Sequence, residues 1–148
     1  LDGIEDPYNF GYILRTLYAA GADWVVLPRR NFFTASEIVI RASAGASELL
    51  RVAVTDDPAD FCRRASSAGR YIVSTANSKD AKNIFSVRLR PPVCLVIGGE
   101  KRGISKGVLE ASDVTLKIKY ARNCAFSLPA VSATSVIAFE VAQKLRLL

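Results

Sequence analysis

The chain has 148 residues, 50% of them apolar and 23% charged, with 20 Lys+Arg against 14 Asp+Glu and a net charge of +6. That is one domain's length with ample core material, which excludes a disordered chain; the basic surplus suits a polyanionic partner but does not demand one. Histidine is absent, so Ser-His-Asp catalysis, Cys-His catalysis and every histidine-bearing metal site are excluded.

The opening Leu1-Asp2-Gly3-Ile4 reads as the middle of a strand, and position 1 is not Met. The 148 residues are therefore expected to be a fragment of a longer protein. Asn9 is placed to cap a helix, and Phe10, Ile13, Leu14 and Leu17 recur at helical spacing up to a stop at Gly21. Arg15 falls about 140° round from Phe10, off the apolar stripe. A plain cap accounts for Asn9, and a solvated face for Arg15, when each is taken alone. Residues 24–28 (WVVLP), 51–55 (RVAVT), 71–74 (YIVS) and 93–97 (VCLVI) are short apolar runs bounded by turn residues. Such runs predict strands buried on both faces of a parallel sheet. Residues 57–68 begin with an Asp-Pro cap signal and end before Gly69, which predicts a helix. Residues 114–119 (VTLKIK) alternate as a strand does, and residues 130–147 carry the longest helical pattern, rich in small residues.

Strand and helix alternate throughout, which predicts an α/β domain with a largely parallel sheet. Cys62, Cys94 and Cys124 are an odd, widely spaced set without CxxC. Cys62 and Cys94 read as small core residues, in keeping with a reducing compartment. No secretory leader and no run of 18 apolar residues occurs.

Ligands of open α/β sheets bind beyond the carboxyl ends of the strands. The most informative such end is Ile97-Gly98-Gly99-Glu100-Lys101-Arg102-Gly103-Ile104-Ser105. Its glycines let a main chain come close to something. It is neither a Walker A loop nor GxGxxG, and a tight turn with Ser105 capping the next helix explains it equally. The small residues Ala130, Ser132, Ala133, Ser135 and Ala138 permit close approach of another helix or of a ligand.

Three segments together resemble a known family. Asn9-Phe10-Gly11-Tyr12-Ile13-Leu14-Arg15-Thr16 matches NxGxxxRT, and Ile97 to Ser105 matches a strand followed by GxExxG, an apolar residue and Ser. Residues 117–140, ending in Phe139-Glu140, match the third motif, and Ala42-Ser43-Ala44-Gly45-Ala46 matches a segment between them. In order and spacing the chain is similar to the SpoU-type (TrmH-like) RNA 2′-O-ribose methyltransferases of the SPOUT superfamily over essentially its whole length. It departs from the usual SLNVS: Ala130 or Pro129, depending on a one-residue gap, stands at the Asn. Gly99 replaces the Asn that usually precedes Glu100.

The resemblance implies the α/β knot, a mostly parallel sheet flanked by helices with a deep C-terminal trefoil knot, an exception to the usual unknotted connections. Residues 1–148 would be the catalytic domain, with room for a further N-terminal RNA-binding domain. The implied cofactor is S-adenosylmethionine, held by Thr75, Ile97, Gly98, Gly99, Gly103, Ile118, Tyr120, Leu128 and Pro129. The implied reaction is methyl transfer to a ribose 2′-hydroxyl of rRNA or tRNA, with Arg15, Asn9 and Glu100 as catalytic residues and no metal. A guanidinium stays protonated, so Arg15 suits phosphate binding and hydroxyl orientation better than proton abstraction. Arg29, Arg30, Arg41, Lys101, Arg102 and Arg122 are candidate RNA contacts. A cytoplasmic homodimer is expected, with no membrane association. Two competing expectations are a catalytically silent RNA-binding module of the same fold, and an unrelated α/β enzyme acting on a phosphorylated small molecule.

Overall fold

The computed structural model describes residues 1–29 and 36–148; the candidate RNA contact Arg30 lies outside them. Helix α1 (Pro7–Ala19) starts where Asp6, not Asn9, is the N-cap: the Asp6 carboxylate accepts from the Asn9 amide at 2.8 Å. Pro7, the first helical residue, has no N–H to leave unsatisfied. Asn9 is thus a first-turn residue, and the acidic cap three places before the expected one takes the orphan amide. Phe10, Ile13, Leu14 and Leu17 are all buried.

Strand β1 (Trp24–Pro28) follows, then α2 (Ser36–Ala42), a 3-10 turn (Ala46–Glu48) and β2 (Arg51–Thr55). Helix α3 (Pro58–Ser67) is capped by Asp57, whose carboxylate accepts from the amides of Ala59 and Asp60. The remaining elements are β3 (Tyr71–Thr75), β4 (Lys82–Asn83), β5 (Val93–Val96), α4 (Lys106–Glu110), β6 (Val114–Lys117) and α5 (Ala130–Lys144). Strand β6 and helix α5 are therefore shorter than their sequence patterns, ending at Lys117 and Lys144.

All strand pairings are parallel, in a two-stranded sheet β1-β2 and a four-stranded sheet β4-β6-β3-β5. The first two residues join them. The Leu1 nitrogen donates to the Val26 carbonyl at 2.8 Å, the Asp2 amide to the Ile97 carbonyl at 2.8 Å, and the Gly99 amide to the Asp2 carbonyl at 2.9 Å.

One expectation fails at β2, which is not buried on both faces: Val52 is 44% and Val54 58% exposed. Their register partners Val25 and Leu27 are buried with α1 in one core cluster. Among the described residues strand β2 has β1 as its one neighbour, and the helical cover that buries Val25 and Leu27 does not bury Val52 and Val54.

Helix α5 is the keystone. Ala130, Ala138 and Ala142 pack with Ile13, Leu14 and Leu17 of α1. Ile137 and Val141 pack instead with Val73, Val114 and Leu116 of β3 and β6. Small residues on one flank allow the close approach to α1, where the hydroxyls of Thr16 and Ser135 lie 3.4 Å apart. Large apolar residues on the other flank fill the sheet surface, each contributing about 1.5–3 kcal/mol when fully buried. Gly11 serves a similar approach on the opposite side of α1. A Cβ there would lie 2.6 Å from the Ala42 Cβ and 2.9 Å from the Val39 carbonyl oxygen of α2.

Candidate active site

The carboxyl ends of β3, β5 and β6 open onto a cavity of about 270 Å³. Its wall comes from three separated stretches: Thr75–Asn77 at the end of β3, Ile97–Glu100 with Gly103 after β5, and Leu116, Lys117, Ile118 and Tyr120 running on from β6. Ser127, Leu128 and the first turns of α5 (Ala130, Ala133, Thr134, Ile137) close it. Parallel strands place their carboxyl ends on one side, so residues tens of positions apart in sequence meet there.

The loop after β5 owes its glycines mainly to its own packing. A Cβ on Gly99 would sit on top of the Gly3 carbonyl oxygen, and one on Gly98 would lie 2.8 Å from Gly103 and Ile104 backbone atoms. Gly103, at φ +63°, has open space where a Cβ would point, though that backbone geometry disfavours any side chain. Asp2 holds the end of the loop, its carboxylate accepting from the Ser105 amide at 2.8 Å. Ser105 is the N-cap of α4, as expected, but its side chain makes no capping hydrogen bond.

Glu100 is the link between this loop and α5. Its Oε1 accepts from the Ala130 amide at 2.9 Å. Pro129 stands at the N-cap and supplies no side-chain acceptor, so a carboxylate from another loop satisfies one of the orphan amides and complements the positive helix end. Across the loop, the Leu128 amide donates to the Tyr120 hydroxyl at 2.9 Å, tying the two ends of the segment between β6 and α5.

A second cavity, of about 300 Å³, is lined by Gly3 to Pro7, Asn9, Gly99 to Lys101 and Ala130. Gly99, Glu100 and Ala130 belong to both linings, so the two cavities share that wall. Lys101 reaches Glu5 at 3.7 Å, an exposed pair of small energetic weight.

Of the nine residues expected around a cofactor, Thr75, Ile97, Gly98, Gly99, Gly103, Ile118, Tyr120 and Leu128 line the first cavity. Pro129 does not; it turns the chain into α5. Of the three expected catalytic residues, Asn9 and Glu100 share the second cavity. Arg15 lines neither cavity and is exposed, and among the described residues its side chain has no hydrogen bond or ion pair. Glu100 is bonded to Ala130 rather than to Arg15. Sequence reasoning missed Asn77, Leu116, Lys117, Ser127 and the α5 residues Thr134 and Ile137, while Ala130 and Ala133 were among the small residues expected to admit a helix or a ligand. The small-residue pattern of 130–138 was the available signal for the α5 side.

Among the described residues no group of three or more His, Cys, Asp or Glu side chains is assembled that could hold a metal ion, and no helix is long and apolar enough to cross a membrane.

Residues 1–139 match the model of the SpoU rRNA Methylase family. The chain belongs to the SpoU rRNA Methylase family. It is 31% identical over 141 residues to the 23S rRNA (guanosine-2′-O-)-methyltransferase RlmB of Pseudomonas aeruginosa, covering 95% of this chain and 56% of that protein. The chain thus spans little more than half the length of this SpoU relative. The solved A. aeolicus TrmH/SpoU tRNA modifying enzyme superposes with a TM-score of 0.87 at 26% identity, covering 99% of this chain and 73% of that one. The SpoU methyltransferase AviRb from Streptomyces viridochromogenes, solved with the cofactor AdoMet, superposes with a TM-score of 0.83 at 25% identity, covering 99% and 59%. The α/β architecture of parallel sheets flanked by helices is that of the SpoU structures.

Proposed function

We propose that this chain is the catalytic domain of an S-adenosylmethionine-dependent RNA 2′-O-methyltransferase acting on rRNA or tRNA. The observation that carries the reading is the shared wall: the cavity at the strand ends and the cavity holding Asn9 meet at Gly99, Glu100 and Ala130. A donor in the first and a ribose in the second would lie on either side of three residues.

The first cavity fits the cofactor in chemical kind. Ile97, Leu116, Ile118, Leu128 and Ile137 offer apolar surface for a purine ring, while Gly98, Gly99 and Gly103 offer main-chain polar edges without side chains of their own. Its size is at the lower end of small-molecule sites. The bound sulfonium supplies an already activated methyl group. What the protein must add is position: the ribose hydroxyl held in line with the carbon it attacks. A C–S bond breaks, a C–O bond forms, and the hydroxyl proton leaves to solvent. Glu100 fixes the wall between donor and acceptor by holding α5, and Asn9 flanks the acceptor. Arg15, permanently cationic, binds the phosphate beside the target ribose.

Because Arg15 lies outside the cavities of its own chain, this role requires a second copy, and we propose a homodimer through α1 and α5. Tyr12 is 43%, Val136 37% and Phe139 42% exposed. Helical spacing sets them one turn from, or beside, the Thr16–Ser135 contact. The finer fold assignment, a deep trefoil knot of the C-terminal segment, belongs to this reading, as does a cytoplasmic location. The anchoring of α5 to the loop after β5 supports the knot.

Arg15→Ala should abolish methyl transfer and leave S-adenosylmethionine affinity, read by calorimetry, within about twofold. Mixing Arg15→Ala with a variant blocked in the cofactor cavity should restore part of the activity in mixed dimers. Full activity of Arg15→Ala refutes the assigned role. No cofactor binding by the folded wild-type chain favours the silent RNA-binding module.

A further inference from the structure

Phe126, at 72%, is the most exposed large hydrophobic side chain among the described residues. It lies on the segment between β6 and α5, which is tied across its base by the Tyr120–Leu128 hydrogen bond. A phenylalanine held in water forgoes about 2 kcal/mol that burial would return. Its placement is therefore informative. Ser127 and Leu128, the next two residues, line the cavity at the strand ends, so Phe126 stands within about 7 Å of chain from the cavity wall. Residues 118–129 contain Lys119 and Arg122 and no Asp or Glu. Both cations are exposed, and among the described residues neither side chain makes an ion pair or hydrogen bond.

An exposed aromatic on a tied segment that also carries two exposed, unpaired cations, next to residues lining the cavity, has the composition of a single-strand platform. Bases stack on the ring while phosphates meet the cations. We infer that Phe126 stacks a base of the RNA strand next to the target nucleotide, with Lys119 and Arg122 holding its phosphates. The inference rests on the methyltransferase reading and adds a substrate-positioning residue that stands outside the cavity. An apolar protein partner is less favoured, because the segment that carries the exposed aromatic also carries two cations and no acid.

The test is equilibrium binding of a labelled single-stranded ten-nucleotide RNA to the 148-residue chain. Stacking of one base is worth about 1–3 kcal/mol, so Phe126→Ala should weaken binding by about 5- to 150-fold. Phe126→Tyr should bind within twofold of wild type, and S-adenosylmethionine affinity and melting temperature should stay unchanged in both. The salt slope should be preserved in Phe126→Ala and reduced by about 1.4 in Lys119→Ala/Arg122→Ala, two phosphates at about 0.7 each. Wild-type affinity in Phe126→Ala overturns the inference, as does an absence of RNA binding by the wild-type chain. Sedimentation showing that Phe126→Ala splits a dimer overturns it too, by making this face a contact between copies. A wild-type chain that binds the RNA and methylates no substrate sinks the methyltransferase reading and leaves the stacking result standing.

Discussion

Replacing Glu100 tests how the loop after β5 supports the site. Its carboxylate takes the Ala130 amide at 2.9 Å, and Pro129 offers α5 no side-chain cap of its own. Loss of a capping acceptor costs about 1 kcal/mol, up to about 2, and loss of the negative charge at a helix start about 0.3–1 kcal/mol. Glu100→Ala removes both, so a loss of about 1.5 kcal/mol is expected. At about 2.1 cal/mol/K of unfolding entropy per residue, the 148 residues melt about 3 °C lower for each kcal/mol. Scanning calorimetry should therefore show Glu100→Ala melting about 5 °C below wild type. Glu100→Gln keeps an acceptor oxygen and should fall by only about 1–3 °C. Since Ala130, Ala133 and Thr134 form part of the cavity wall, titration calorimetry should show weaker S-adenosylmethionine binding in Glu100→Ala, with most of it recovered in Glu100→Gln. An unchanged melting temperature in Glu100→Ala, or equal losses in the two variants, would refute the capping argument.

The close passage of α1 over α2 predicts that Gly11→Ala is destabilising even though alanine is the better helix former by about 1 kcal/mol. The added methyl overlaps Ala42 and Val39, overpacking costs about 1–3 kcal/mol, and a net rise in urea midpoint would contradict the contact. Burial raises the Cys62 thiol to about 11. At pH 8 a thiol reagent should modify half-exposed Cys124 first and Cys62 only as the protein unfolds. Because the folded state keeps a proton that the unfolded state releases from about pH 9, Cys62 contributes a loss of stability as pH rises from about 9 to 11. Cys62→Ala should flatten that part of the stability profile, and an unchanged slope would assign it to other groups.

Much of the architecture was legible before the structure because its signals are local. The apolar runs at 24–28 and 51–55 are strands with those bounds, and Asp57-Pro58 starts a helix through a cap written in adjacent residues. Local rules also misled in two places. Asn9 looked like a cap because of its residue type, while Asp6 held the geometry. RVAVT looked doubly buried because apolar content does not reveal whether a strand is central or an edge; that depends on β1 being its one neighbour among the described residues.

The site divides in the same way. The resemblance to the SpoU-type motifs picked out Asn9, Glu100 and eight residues of the first cavity's lining, at the strand ends where ligands of a parallel sheet bind. The partner of Glu100 was not legible, since its bond to Ala130 spans 30 positions. Nor was the meaning of Gly99, whose missing side chain makes room for Gly3 from the other end of the chain. Arg15 shows the limit most clearly: spacing put it off the apolar stripe of its helix, and packing then set it outside both cavities. Periodicity and caps act within a few residues and are carried by the sequence itself, whereas carboxylate partners, cavity walls and the exposure of an edge arise from contacts between distant segments and exist only once the chain has packed.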